Sequence, residues 1–135
     1  MNNATALAAL PMAKGPDNMK VLPIIRKIQW EKLVVNTQDE VRFIPFSEIL
    51  YCKSTQNYTT VFLKNGKSYL CSKTLKEIEA KLPPSEFFRI HHSYVINLAS
   101  ITAIKKKTQE VELNNQLLLP YSRSQRTGLY QIFNL

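Results

Sequence analysis

Arg89-Ile90-His91-His92-Ser93 is the densest group of reactive side chains in this 135-residue sequence, and it lies between the apolar runs Phe87-Phe88 and Tyr94-Val95-Ile96. Burying a polar group without a partner costs about 1–3 kcal/mol, so four in close succession argue for a segment that surfaces between two buried strands. Two other segments have the same character: Lys53-Ser54-Thr55-Gln56-Asn57-Tyr58 and Ser122-Arg123-Ser124-Gln125-Arg126. Arg and Lys pair with guanine edges, Asn and Gln with adenine edges, and hydroxyls with phosphate oxygens. The chemistry that these three segments suit is recognition of a polyanion.

Other chemistries fit less well. His91-His92-Ser93 offers a nucleophile and a base, but neither a carboxylate pair nor a glycine elbow accompanies it, so no catalytic residue is expected. Two histidines without a nearby acid do not make a metal site, and two cysteines without a CxxC spacing do not bind zinc. With only three glycines, no Gly-rich phosphate loop exists. Neither metal nor cofactor is expected.

The formal net charge is +8, and between Lys53 and Arg126 there are 12 Lys and Arg against 5 Asp and Glu. Nucleic-acid phosphate is the commonest partner for such an excess; acidic lipid headgroups are another. Arg123 and Arg126 sharpen the point. They open a predicted helix, where the macrodipole favours acids, and a bound anion would remove the misfit. Lys105-Lys106-Lys107 reads first as a solvated turn. No apolar run approaches the 18 residues of a membrane span, and residues 1–10 lack the basic start and apolar core of a secretory signal. The expected compartment is the reducing cytoplasm, with Cys52 and Cys71 as small buried hydrophobes; a disulfide stays open should their strands be neighbours.

The elements that must hold the three segments are mostly strands. Residues 1–23 read as a flexible tail or linker remnant, broken by Pro11, Gly15, Pro16 and Pro23, and residues 24–135 as one domain. Leu33–Val35 and Val41–Ile44 flank a five-residue polar loop. Ile49–Cys52 follows a short turn that Ser47 could cap, and Tyr58–Leu63 returns through Asn65-Gly66 into Ser68–Cys71. Thr74 and Glu77 form a capping box for a helix carrying Leu75, Ile78 and Leu82, which Pro83-Pro84 stops. Ile101–Ile104, Glu110–Leu113 and Leu117–Leu119 complete the strands. A last helix, capped by Ser122 or Ser124, carries Arg126, Leu129 and Phe133. The expected fold is mainly β with a minor helical part (α+β): elongated antiparallel sheets of about ten short strands, with two or three short helices.

The residues Ile49-Leu50-Tyr51, Ser54, Asn57-Tyr58-Thr59, Lys73 to Glu79, Phe87 to Leu98, Ile101 and Leu119 to Ser124 occur in an order that resembles the LytTR family, the DNA-binding output domain of many bacterial response regulators. The likeness covers about residues 30–130. It implies sequence-specific binding of double-stranded DNA by a transcription regulator, with loops rather than a recognition helix entering successive major grooves. It further implies pairing with a second copy on direct repeats, and a receiver domain or sensor kinase elsewhere in the system. The resemblance implies base contacts from Tyr58, His92 and Arg123. Backbone contacts would come from Asn57, Lys73, Arg89, Ser93, Ser124 and Arg126. His92 stands where many relatives carry Arg or Asn. The competing expectation is a basic β-domain for RNA, a signalling nucleotide or an acidic protein partner. Exposed aromatics on a sheet face would favour single strands. Here the aromatics sit mostly within alternating strands.

Overall fold

The computed structural model describes residues 31–135. The tail expected over 1–23, and the β pattern read for 24–30, lie outside the described residues. Ten strands and two helices follow in chain order: β1 (Lys32–Asn36), β2 (Val41–Pro45), β3 (Ile49–Thr55), β4 (Tyr58–Leu63), β5 (Ser68–Cys71), α1 (Leu75–Glu79), β6 (Phe87–His91), β7 (Tyr94–Asn97), β8 (Ile101–Lys105), β9 (Glu110–Leu113), β10 (Leu117–Pro120) and α2 (Arg123–Ile132). Every strand pairing is antiparallel, as short connections require for consecutive strands; β3 and β7, far apart in the chain, pair antiparallel as well. The strands form a β1–β2 hairpin, a five-stranded sheet in the order β5-β4-β3-β7-β6, and a three-stranded sheet in the order β10-β9-β8.

The five-stranded sheet is the middle layer, and its alternation shows why. Cys52 and Val95 belong to one hydrophobic core, with Leu33 and Ile44 of the hairpin and Leu75 and Ile78 of α1. Ile96 belongs to a second core, with Ile90, Val111, Leu113, Leu119 and Leu129, and Tyr51 packs against it. Val95 and Ile96 are consecutive and both fully buried, because consecutive strand residues point to opposite faces and both faces are covered. Tyr51 and Phe62 pair across β3 and β4 and stack at 4.5 Å.

The local signals act where they were read. Gly66 turns β4 into β5 at φ +91, in the left-handed region that glycine enters without steric cost. Thr74 Oγ1 accepts from Glu77 N–H while Glu77 Oε1 accepts from Thr74 N–H, closing the capping box. Several details differ from the sequence reading. Lys53 to Thr55 continue β3 and Arg89 to His91 belong to β6, so two of the polar segments begin inside strands, and α2 ends at Ile132 with Phe133 as its C-cap. Helix α1 ends at Glu79, and three-residue backbone bonds carry the chain to a buried Leu82. Ser47 lies inside the 3-10 turn Phe46–Glu48, whose N-cap is Pro45. Ser122 occupies the N-cap of α2 without a side-chain cap bond, its Oγ lying 3.2 Å from Ser124 Oγ.

Cys52 and Cys71 are free and buried, on β3 and β5, which flank β4 instead of pairing with each other. Burial, then the nearby Cys71, pushes the Cys52 thiol up to about 12, so it stays protonated and unreactive at neutral pH. Among the described residues, no helix is long and apolar enough to cross a membrane.

Candidate nucleic-acid interface

Four stretches meet at one end of the central sheet, and a hydrogen bond ties each to the next. At the β5 edge, Thr59 is buried and its Oγ1 donates to the Lys73 carbonyl at 2.8 Å, bringing Lys73 beside the start of β4. Gln56-Asn57 turns β3 into β4 with Gln56 at φ 57, a conformation that costs a non-glycine residue roughly 1–2 kcal/mol. That tip exposes Asn57 and leaves Tyr58 47% exposed, although most other aromatics pack inward. Ser54 N–H, just before the tip, donates to the Ser93 carbonyl at 2.9 Å. The β3–β4 and β6–β7 turns therefore lie side by side.

A register shift between Arg89 and His91 marks an irregularity in β6. Such a break frees backbone groups from the ladder, and here the Ile90 carbonyl accepts from Ser122 N–H at 2.8 Å. Gln125 Nε2 donates to the Arg89 carbonyl at 2.7 Å. Together these bonds seat the first turn of α2 against the β6–β7 turn. Gly128 lets the helix come close, since a Cβ there would meet the Phe88 ring at 3.1 Å.

The site's electrostatics are unbalanced in one direction. The first turn of α2 holds Arg123 and Arg126 and no acid. Arg126 lies over the Tyr130 ring, 5.7 Å from its centroid. Among the described residues, neither Lys73 nor Arg123 has an ion-pair partner. Arg89 differs. Its guanidinium bonds Glu79 Oε1 at 3.2 Å, the His91 carbonyl at 3.3 Å and the His92 carbonyl. With Ser122, Ser124 and Gln125, these residues line one shallow cleft. Among the described residues, no group of three His, Cys, Asp or Glu converges as a metal site requires.

His91 is part of the turn's frame. Its Nδ1 accepts from Ser93 N–H at 3.1 Å, and its ring lies 4.4 Å from that of His92 and 5.7 Å from that of Tyr94. Burial first, then His92 and Arg89, hold its pKa below the ordinary 6.5. The fold thus favours the neutral ring, and protonation would replace the acceptor at Nδ1 with a donor. Stability from this group is complete above pH 6.5 and declines as the pH falls from there through the lowered folded-state value. Urea midpoints between pH 7.5 and 5 should fall more for the parent chain than for His91→Gln; equal falls would remove this role.

The structure brings Asn57, Tyr58, Lys73, Arg89, His92, Ser93, Arg123, Ser124 and Arg126 to this end of the sheet. Sequence reasoning missed Glu79 and Gln125. Gln125 was visible only as an amide between two arginines, and its partner Arg89 is 36 residues away. Glu79 stood in the sequence only as the end of the Lys73 to Glu79 run, with no role assigned to it.

A scan against family models matches residues 39–134 to the LytTr DNA-binding domain. The chain belongs to that family. Its curated relatives include the CO-responsive transcriptional regulator RcoM of Rhodospirillum rubrum, 28% identical over 102 residues that make up 73% of this chain and 43% of that protein. The transcriptional regulatory protein YpdB of Escherichia coli K12 is 31% identical over 116 residues, 78% of this chain and 45% of YpdB. The sensory transduction protein LytT of Bacillus subtilis is 27% identical, with 77% and 44% covered. The chain thus spans less than half the length of these three relatives. Among solved structures, the LytTr DNA-binding domain of a putative methyl-accepting/DNA response regulator from Bacillus cereus superposes with a TM-score of 0.68 at 24% identity, covering 78% of this chain and 98% of that one. This likeness fixes the fold: antiparallel sheets with two helices, as the sequence led us to expect.

Proposed function

We propose that this chain is the DNA-reading part of a bacterial transcription regulator acting in the cytoplasm, and that it lays the β3–β4 turn, the β6–β7 turn and the start of α2 into successive major grooves. The observation that carries the reading is the series of bonds from Thr59–Lys73 through Ser54–Ser93 to Ser122–Ile90, which gathers three separate connections on one cationic edge. Five strands about 4.8 Å apart span roughly 19 Å. The edge is therefore wider than one major groove of about 12 Å and must cross phosphate backbone.

Tyr58, His92 and Arg123 face base edges in this reading. Asn57, Lys73, Arg89, Ser93, Ser124 and Arg126 meet phosphates. Helix N-terminal N–H groups suit a phosphate oxygen, and the first turn of α2 carries no acid of its own, while Glu79 in the adjoining cleft is paired with Arg89. Two copies bind adjacent direct repeats, and in the full-length system a receiver domain or a partner kinase supplies the signal. The chemistry is recognition, with no catalytic step.

Selection from a random duplex pool tests this. The reading expects a recovered motif that occurs twice, its halves spaced by about one or two helical turns of 10–10.5 bp. An unenriched pool, or better competition by single-stranded DNA or RNA, would reject it. Lys73→Ala should weaken binding to all duplexes alike and make the slope of log K against log salt shallower by about 0.9. An unchanged slope would remove Lys73 from the phosphate contacts.

A further inference from the structure

We propose that Arg89 is a positioning residue: its fork, held by Glu79, shapes the turn that carries His92, and Gln125 locks that turn to the helix start that carries Arg123. The inference rests on the DNA reading above and changes one part of it, since Arg89 would otherwise be a phosphate contact. The geometry is specific. Arg89 Nε reaches the His91 carbonyl, Nη2 the His92 carbonyl and Nη1 the Glu79 carboxylate. A planar guanidinium with donors in fixed directions can hold two successive carbonyls, whereas a lysine ammonium is a point charge on a flexible stem. Its side chain is 24% exposed, so the head is largely turned inward. Glu79 lies on α1, ten residues away, and an acid at a DNA-facing edge repels phosphate. Its presence makes sense as the anchor of the fork. Gln125 Nε2 then donates to Arg89's own carbonyl, so one residue links the His92 turn through its side chain and the Arg123 helix through its backbone.

Four variants separate a clamp from a phosphate contact: Arg89→Gln, Arg89→Lys, Glu79→Gln and Gln125→Ala. Each is measured on the selected duplex and on its single-base variants across a salt series, with thermal melting to confirm folding. The clamp predicts that Arg89→Gln and Arg89→Lys both lose about tenfold discrimination at the base pair that His92 reads, with the salt slope of Arg89→Gln unchanged. A phosphate contact predicts the reverse: Arg89→Lys behaves like the parent, and Arg89→Gln keeps its discrimination while its slope becomes shallower by about 0.9. Glu79→Gln gives opposite outcomes as well. As an anchor, its loss weakens discrimination; as a bystander, its loss tightens binding to every duplex alike. Gln125→Ala should lower discrimination at the His92 and Arg123 base pairs together, and loss at neither would overturn the coupling. Should the Arg89 variants fail to fold, Glu79→Gln and Gln125→Ala decide the matter. Failure of the underlying reading looks different, because the parent chain itself would then show no preference among duplexes.

Discussion

Leu129→Ala is expected to cost about 2–5 kcal/mol of folding stability, the range for deleting a fully buried leucine side chain. Leu129 is the buried residue of α2 and sits in the second core with Ile90, Ile96 and Val111. The remainder of α2 is half-buried or exposed, so little else can compensate. The helix is ten residues long, which is too short to persist in water without that packing. The consequence is functional as well as structural. With Leu129 shortened, the Ser122–Ile90 and Gln125–Arg89 bonds and the packing of Gly128 and Tyr130 must hold the helix without its one buried anchor, and Arg123 loses its fixed direction. Urea unfolding checks the first effect. The second should appear as weaker DNA binding even where the variant remains folded. A shift in the urea midpoint corresponding to less than about 1 kcal/mol would mean that the helix is held by something other than this core.

Arg123→Ala is the larger effect on recognition. Its guanidinium stands exposed in the first turn of α2 without an ion-pair partner among the described residues. A bidentate contact with a guanine edge contributes about 1–3 kcal/mol of discrimination. Its loss should lower affinity for the selected duplex by roughly ten- to a hundredfold while relaxing preference at one base pair. Binding to random duplexes should change far less, because the other cations remain. The signature is a fall in the ratio of specific to non-specific affinity. Equal weakening on both kinds of duplex would make Arg123 a phosphate contact, and no weakening on either would remove it from the interface.

How far such a site is legible in a sequence depends on the range of the interactions that build it. The Thr74–Glu77 capping box and the Asn65-Gly66 turn are local, with physics confined to four or fewer residues, and both stand where they were read. Most of the β strands from Val41 to Leu119 follow from alternation and turn signals; β6 does not, because Arg89 to His91 read as a surfacing polar segment and lie inside that strand. The order β5-β4-β3-β7-β6 does not, because inserting β7 beside β3 is decided by packing on both faces of the sheet. Asn97 shows the distance involved: its Nδ2 donates to the Ile49 carbonyl 48 residues away.

The candidate site divides in the same way. Three segments advertised themselves as basic and polar, and the resemblance assigned roles within them. What the sequence could not express was which polar groups are already occupied. Arg89 reads as one more cation until its donors are followed to Glu79, His91 and His92. Likewise His91 and His92 are adjacent and chemically alike. One is held in the turn by Ser93, and the other is exposed at its tip.

The central claim is that one end of the five-stranded sheet meets the double helix. Titrating the isotopically labelled chain with the selected duplex and following its backbone amides by NMR tests this directly. The account predicts shifts at 55–58, 73, 91–93 and 122–126, with little change in the Lys64–Lys67 and Asn114–Gln116 turns at the opposite ends of the two sheets. Shifts concentrated in those two turns, with the four stretches silent, would contradict it.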